Sequence, residues 1–517
     1  MNGAQALIRT LVDAGVDVCF MNPGTSEMHF VAALDSVPEM RGVLALFEGV
    51  ATGAADGYAR MADRPAATLL HLGPGLGNGL ANLHNARRAH TPMVNIVGNH
   101  ATTHLRYDAP LTSDIETVAR NVSTWIRESG SSGEVAADAA DAVVAACEPQ
   151  GRIATLILPA DASWSVGADP VTPKPLVQPT PVDSGVIDEL AELLRGDEPV
   201  GILIGGRACR EAPLIDARRT ADATGAKLLA ETFPARLARG AGRPAVERIA
   251  YLAEFAVAQL AGLRHLILVD AASPASFFAY PGKASDLVPD DCEVHVLAAG
   301  PDDVAGALQA LAAAVDAPAQ PSVVAPSRPE LPTGPLDAGS MGRVIGALLP
   351  DDAIVSDEGT TGSLFVNPAT EGAPAHDWLC LTGGAIGQGL PVAVGAAIAC
   401  PDRPVLALES DGSAMYTIQA LWTMAREQLD VTVVLIDNGS YAVLNMELDR
   451  VGASAQGPRA RAMLDIGDPS IDFVALAQGH GVPATRADTA EDLADQLRTA
   501  FAEPGPHLIQ AVVPSIV

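Results

Sequence analysis

Between Val405 and Tyr441 the chain reads VLALESDGSAMYTIQALWTMAREQLDVTVVLIDNGSY: an apolar run, a carboxylate on a glycine turn, a helical stretch, a second apolar run and an Asn-Gly turn. Two strands joined through a helix of that length run parallel, because a crossover is the connection that returns the chain to a sheet in the same direction. This predicts an open parallel sheet with Asp411 at the carboxyl end of the first strand, Val405 to Leu408, and Asn438 at the same rim after the second, Val431 to Ile436. Open α/β sheets bind their ligands at that rim. A hard divalent cation such as magnesium takes oxygen ligands, commonly one or two from the protein and the rest from a bound phosphate and water. Asp411, the Asn438 amide oxygen and the Ser440 carbonyl meet that need, Gly412 lets the backbone approach closely, and Ser413 and Ala414 open a helix whose free amides favour an anion. An ordinary strand-to-helix turn followed by an Asx turn would leave the same trace on this segment alone.

The alternation recurs along the chain. Short apolar strands at Ala67 to Leu70, Val200 to Ile204 and Leu266 to Val269 alternate with helices rich in Ala and Leu, the pattern of parallel α/β sheets. Two proline-rich stretches, Asp169 to Asp183 and Ala317 to Pro335, lack periodicity and read as extended connectors. They divide the chain into three expected domains, 1–168, 184–316 and 336–517. The outer two echo one another: VATGAADGYARMADRPAATLLHLGPG from Val50 lines up with VAVGAAIACPDRPVLALESDG from Val392, each a small-residue helix, an Asp-Arg-Pro turn, a strand and a glycine-rich loop. Like-folded domains could then face each other across a ligand, although an Ala-rich chain can produce such an echo by chance.

Thirty-two basic against 62 acidic residues give a net charge of −30, which opposes binding to nucleic acid or to an anionic membrane. Cys19, Cys147, Cys209, Cys292, Cys380 and Cys400 stand singly and form no CxxC pair, which favours reduced core thiols over a disulfide or zinc framework. The first helical pattern carries Asp13 and Asp17, unlike a signal peptide, and no uncharged apolar run of 18 residues occurs. A soluble cytoplasmic protein is expected.

The run from Ser410 to Tyr441 resembles the GDG and NN motif of the thiamine diphosphate enzymes that include acetolactate synthase, benzoylformate decarboxylase and pyruvate decarboxylase, with Ser410 for the first Gly and Asp437 for the first Asn. NPGTSE at Asn22 to Glu27, LFEGVATGAADGYAR at Leu46 to Arg60, GPGLGNGL at Gly73 to Leu80 and GGAIGQGLP at Gly383 to Pro391 follow in family order. The resemblance implies a pyrimidine-binding first domain, a central α/β domain, and a last domain that binds diphosphate and magnesium. It implies magnesium ligands at Asp411, Asn438 and Ser440, and cofactor contacts from Thr360, Thr361, Gly384, Ile386, Gly412, Ser413, Ala414, Tyr441 and Ala442. Gly384 would accept from the exocyclic amine through its carbonyl, and Ile386 would wedge the rings into a bent form.

Glu48 stands in the apolar stretch Val43 to Ala55, where an unpaired carboxylate costs several kcal/mol unless protonated or hydrogen-bonded; read alone, it is equally a helix residue pointing to solvent. In the resembled family the matching Glu activates the aminopyrimidine. His71, after the strand Ala67 to Leu70, matches a proton-relaying His of benzoylformate decarboxylase, and Thr25 the Ser that meets the substrate carboxylate. A second active-site His of that enzyme is replaced, on a loose alignment, by Phe277, while Leu444 and Glu447 fall nearest the reacting carbon; Glu447 would make the pocket polar and select small substrates. His100 and His104 lie in a loop more like that of acetolactate synthase and read as exposed loop residues. The implied reaction is decarboxylation of a 2-oxo acid with carboligation, acetolactate synthase-like, by a homodimer or homotetramer. The alternatives are a decarboxylase of the benzoylformate type and a non-catalytic scaffold subunit. Flavin in the middle domain is left open, since the strand-and-glycine run GILIGGRACR from Gly201 is weak support.

Overall fold

A computed structural model describes residues 1–453 and 457–515. Its strands are short, β-branched and buried on both faces, as in Met93–Asn99, Ile153–Pro159 and Val431–Asp437, which is what helices laid over both sides of a parallel sheet require. They form three sheets. The first has six parallel strands in the order Arg41–Leu44, Val18–Asn22, Ala66–Leu70, Met93–Asn99, Ile153–Pro159, Trp125–Glu128. The second has five, in the order Glu247–Arg248, Lys227–Ala230, Val200–Ile204, His265–Val269, Glu293–Ala298. The third has seven, in the order Ala484–Ala487, His507–Val512, Val431–Asp437, Val405–Ser410, Ile354–Glu358, His376–Cys380, Leu237–Arg239. The last of these is antiparallel and comes from sequence otherwise threaded through the second sheet. Both proline-rich stretches run without helix or strand, and no helix among the described residues is long and apolar enough to cross a membrane. The six cysteines carry free thiols.

The first and third sheets meet through two helices, Glu48–Ala62 and Gly389–Ala399, the segments that echo each other in sequence. Small residues let the backbones touch: a Cβ on Gly57 would lie 2.1 Å from the Val392 carbonyl oxygen, and one on Gly395 1.9 Å from that of Ala54. Leu390, Val392 and Val394 are fully buried there and join the first sheet's Val43, Leu70 and Val97 in one core. Each such side chain contributes about 1.5–3 kcal/mol.

The segment after His71 was expected to be a glycine-rich loop, but it is helical from Leu72 to Arg88. Its glycines serve close approach instead: Gly79 faces Thr52, Gly75 faces Glu48 and Gly73 faces Ser113. The helix that follows the first carboxylate of the metal motif also begins earlier than expected, at Asp411 and not at Ser413.

Candidate active site

Along Glu48–Ala62 the residues Glu48, Thr52, Asp56 and Arg60 recur every four positions, so they form one polar row on a helix that is otherwise apolar and small. All four are buried, Glu48 at 8% exposure. Each is satisfied. Arg60 pairs with Asp56 at 2.5 Å and donates to the Cys380 carbonyl, Asp56 accepts from Thr91, and Thr52 bonds the carbonyls of Glu48 and Gly79. The Glu48 carboxylate accepts from the Asn78 amide at 2.9 Å. Among the described residues no hydrogen bond joins it to Gly384, Ile386 or Asp411.

Thr25, His71 and a residue the sequence reading passed over, Glu27, gather at the carboxyl ends of the strands Val18–Asn22 and Ala66–Leu70. His71 Nδ1 lies 2.7 Å from Glu27 Oε2, which also accepts from the Gly24 amide at 2.7 Å. Gly24 is where a side chain is excluded, since its Cβ would lie 2.3 Å from His71 Nδ1. Burial raises the Glu27 carboxyl, and the nearby His71 and the Gly24 amide act against that rise. The second Glu27 oxygen is buried with no donor among the described residues, and Thr25 is exposed. His100 stands close enough to His71 and His104 for their charges to depress its basicity, after burial, and its Nε2 is buried without a partner. The signal for Glu27 lay in its type: a carboxylate three residues after a glycine, in a segment whose neighbours Phe20, Met21 and Phe30 are core.

The loop from Gly383 to Gly387 is held on several sides. Its carbonyls at Gly383, Ala385 and Gly387 accept from His84, Asn85 and Asn82, and Asn82 also bonds the Gly49 carbonyl at 2.8 Å, bridging the loop to the start of the Glu48 helix. Among the described residues the Gly384 carbonyl accepts nothing, and Gly384 itself is exposed at φ +74°. Ile386 is half-buried. Beneath the loop Glu358 takes the Gly387 amide at 2.8 Å and the Gly389 amide at 2.5 Å. Glu409 lies beside it, because a Cβ on Gly389 would fall 2.2 Å from Glu409 Oε2 and 3.1 Å from Glu358 Oε2. Burial raises both the Glu358 and the Glu409 carboxyls, and the neighbouring Glu358 raises Glu409 further. Neither carboxylate was foreseen.

At the third sheet's rim Asp411 is 2% exposed and accepts from the amides of Gly412, Asn438 and Gly439 at 2.7–3.0 Å. Burial raises it to about 6 against those three donors. Asn438 Oδ1 accepts from the Ser440 amide, and the Ser440 carbonyl accepts nothing among the described residues. The Tyr441 ring covers Gly412, whose Cβ would meet it at 2.5 Å; Ser413, Ala414 and Ala442 are buried around it. A carboxylate, an amide oxygen and a free carbonyl on adjoining turns fit a magnesium ion that keeps phosphate and water as its other ligands. Thr360 sits at φ +47°, a strained conformation for a β-branched residue, with its hydroxyl 2.9 Å from that of Ser410; Thr361 is buried beside it. Ser410, where a Gly was expected, therefore bonds across the two strand ends instead of distorting the turn.

The proposed substrate pocket divides. Leu444 is exposed, but both Glu447 oxygens are taken, by the hydroxyls of Tyr251 at 3.2 Å and Tyr280 at 2.8 Å, which fastens the helix Ala442–Arg450 to the second sheet's loops. Phe277 packs with Phe233 and Tyr251 at ring-centroid distances of 5.4 and 5.0 Å. In the second sheet's glycine loop the amides of Gly206 and Arg207 are already bonded to Glu231 and Asp270. Two carboxylates where a flavin pyrophosphate would need donors do not fit that group.

The family model described as "Thiamine pyrophosphate enzyme, N-terminal TPP binding domain" matches residues 1–119, and the corresponding C-terminal TPP binding domain model matches residues 367–511. The chain is 62% identical over its full length, and that of the relative, to the Mycobacterium tuberculosis protein called "Putative acetolactate synthase large subunit IlvX". It is 31% identical to benzoylformate decarboxylase of Pseudomonas aeruginosa, with 97% of each chain covered. The thiamine diphosphate-dependent 4-hydroxybenzoylformate decarboxylase of Rhodococcus jostii superposes with a TM-score of 0.88 at 25% identity, covering 99% of both chains. A relative this similar along the whole chain places the protein in the thiamine pyrophosphate enzyme family, as a thiamine diphosphate-dependent enzyme of the acetolactate synthase and benzoylformate decarboxylase class.

Proposed function

We propose that the enzyme decarboxylates a 2-oxo acid and, with the acid group it carries at His71, releases the product as an aldehyde, while carboligation to a second carbonyl competes. The observation that carries this reading is the 2.7 Å contact between His71 and the buried Glu27, beside exposed Thr25. Thiamine diphosphate, when bound, supplies the carbon nucleophile and the electron sink that carbon dioxide loss requires. Asp411, Asn438 and Ser440 would hold magnesium, and Thr360, Thr361 and the amides of Gly412 to Ala414 would bind the diphosphate. Glu48 would hold a proton against the pyrimidine, Gly384 would accept from its amine, and Ile386 would set the angle between the rings. Thr25 would orient the substrate carboxylate. Glu27, bonded to Nδ1, fixes the His71 ring so that Nε2 is left to hand a proton to the reacting carbon.

Acetolactate synthase-like carboligation is the second reading, favoured by the 62% identical relative. Glu447 gives it less support than its charge suggested, because both its oxygens are spoken for. Pyruvate, benzoylformate and 4-hydroxybenzoylformate, each with and without an added aldehyde acceptor, separate the two. Aldehyde should dominate, and His71→Ala should cut aldehyde release at least about tenfold, ~1.4 kcal/mol of barrier, more than it cuts carboligation. Acetohydroxy acid or hydroxyketone as the main product, with His71→Ala neutral, would install the carboligase reading in its place. We propose further that the 1–168, 184–316 and 336–517 segments act as pyrimidine-binding, central and diphosphate-binding domains, and that Glu48 of one chain completes the site anchored by Asp411 of another.

A further inference from the structure

At the outer edge of the second sheet the strands His265–Val269 and Glu293–Ala298 run side by side, with His265 opposite Glu293 and Ile267 opposite His295. In-register pairing and two-residue alternation put the side chains of His265, Glu293 and His295 on one face. Their ligating atoms all lie within 4.8 Å of one another. His265 Nδ1 and His295 Nε2 are 3.1 Å apart, near the roughly 3.3 Å between two nitrogens on one tetrahedral zinc with ~2.0–2.1 Å bonds. The other nitrogen of His265 lies 3.0 Å from Glu198 Oε2, on the turn that precedes the strand Val200–Ile204. Accepting a hydrogen bond from Nε2–H, that carboxylate would leave the Nδ1 lone pair for a metal, the arrangement by which a carboxylate orients a metal-bound histidine. Glu293 is exposed, so its side chain can rotate to close the remaining distance.

We propose that His265, His295 and Glu293 form a binding site for a first-row divalent transition metal, zinc foremost, with Glu198 as the orienting partner of His265 and water in the fourth position. Two imidazoles and one carboxylate suit zinc, nickel, cobalt or copper and not magnesium, so the site is chemically distinct from the all-oxygen set at Asp411. The surrounding charge is consistent. Arg264 is held by Asp291 and stands 3.8 Å from Glu198, and among the described residues no ion pair occupies the Glu293 carboxylate, so the ligand set keeps a negative charge for a dication. Bound there, the ion would pin the outermost strand of the sheet to its neighbour and to the turn before Val200.

The test uses the full-length protein, saturated with magnesium and thiamine diphosphate so that the oxygen site is filled, and titrated with zinc chloride by calorimetry. One equivalent per chain should bind. His265→Gln and His295→Gln should each weaken that binding by more than about tenfold, and Glu198→Gln by about 10- to 100-fold, the usual loss for an orienting partner. Cobalt should give visible d–d bands of tetrahedral intensity in the wild-type protein that both histidine variants lose. The proposal is overturned if zinc binds the histidine variants as it binds the wild type, or if the wild type shows no cobalt bands. Unchanged far-ultraviolet circular dichroism of the variants secures the comparison, and the wild-type cobalt spectrum decides the matter if a variant fails to fold.

Discussion

Replacing Gly395 by Ala tests whether the contact between the helices Glu48–Ala62 and Gly389–Ala399 sets the geometry of the site. The added methyl would lie 1.9 Å from the Ala54 carbonyl oxygen and 2.4 Å from the Tyr58 amide nitrogen. Both obstacles are backbone and cannot swing aside. Ordinary contact begins at 3.4 Å, so the helices must part by roughly 1.5 Å. Overpacking of a filled core costs about 1–3 kcal/mol, and backbone obstruction places this case at the upper end. The better helix propensity of Ala returns about 1 kcal/mol, which leaves a loss of about 2 kcal/mol. Parting the helices also strains Asn82, which bridges the Gly49 and Gly387 carbonyls, so thiamine diphosphate affinity should fall with stability. Urea-denaturation midpoints and calorimetric cofactor titration read the two effects. Gly479, at the end of the helix Phe473–Gly479 with nothing within 4 Å of an added Cβ, is the control, and Gly479→Ala should be neutral or stabilising by up to about 1 kcal/mol. Gly395→Ala with the wild-type midpoint and wild-type affinity would refute the reasoning.

Asp411→Ala should abolish magnesium-dependent cofactor binding, since an amide oxygen and a carbonyl alone hold a strongly hydrated dication poorly; Glu48→Gln should bind cofactor but lose turnover by more than about tenfold. Exchanging subunits between these two inactive variants should restore part of the activity, and heterodimers that stay inactive would sink the shared site. His376 is buried, donates Nδ1 to the Pro374 carbonyl, and has its basicity lowered to about 4 by burial and by Arg239. Unfolding then takes up a proton between about pH 4 and 6.5, so this stabilisation is complete above that window and is lost as pH falls through it, by about 3 kcal/mol. Denaturation midpoints followed from pH 7 to 4 should fall less steeply in His376→Gln than in the wild type, and parallel slopes would argue against a neutral buried imidazole.

Local pattern carried the parallel sheets and the strand ends bearing Asp411 and Asn438, because each follows from a short apolar run and the residue that ends it; the burial of Glu48 did not follow from its own segment, which read alone as a helix start pointing to solvent. What stayed hidden depends on partners remote in sequence. Gly75 and Gly79 read as loop because their use, contact with the Glu48 helix, lies more than twenty residues away. Glu447 looked free to face a substrate since nothing near it in the chain announces Tyr251 and Tyr280. Glu358 and Glu409 sit in strands whose apolar neighbours gave no reason to pair them, and only the third sheet's register, with Glu358 opposite Glu409, does so. The row Glu48, Thr52, Asp56, Arg60 stands in the chain as a four-residue period that was not read from the sequence, because its meaning requires the third sheet against which Arg60 ends.

The antiparallel strand Leu237–Arg239, paired with His376–Cys380, has a consequence for how such genes can recombine. The same short segment presents the Ala235 carbonyl to Arg60 and the Arg236 guanidinium to Asp377, 2.7 Å away, so residues encoded amid the second sheet help brace the other two. The middle third of the chain is therefore not a cassette that can be lifted out at its proline-rich flanks and exchanged for a relative's. A chimaera that imports a foreign middle also imports foreign partners for Arg60, Asp377 and Trp378. Crossovers between relatives should survive where 232–242 travels with the first and third sheets, and insertions that diversify the middle should collect away from it.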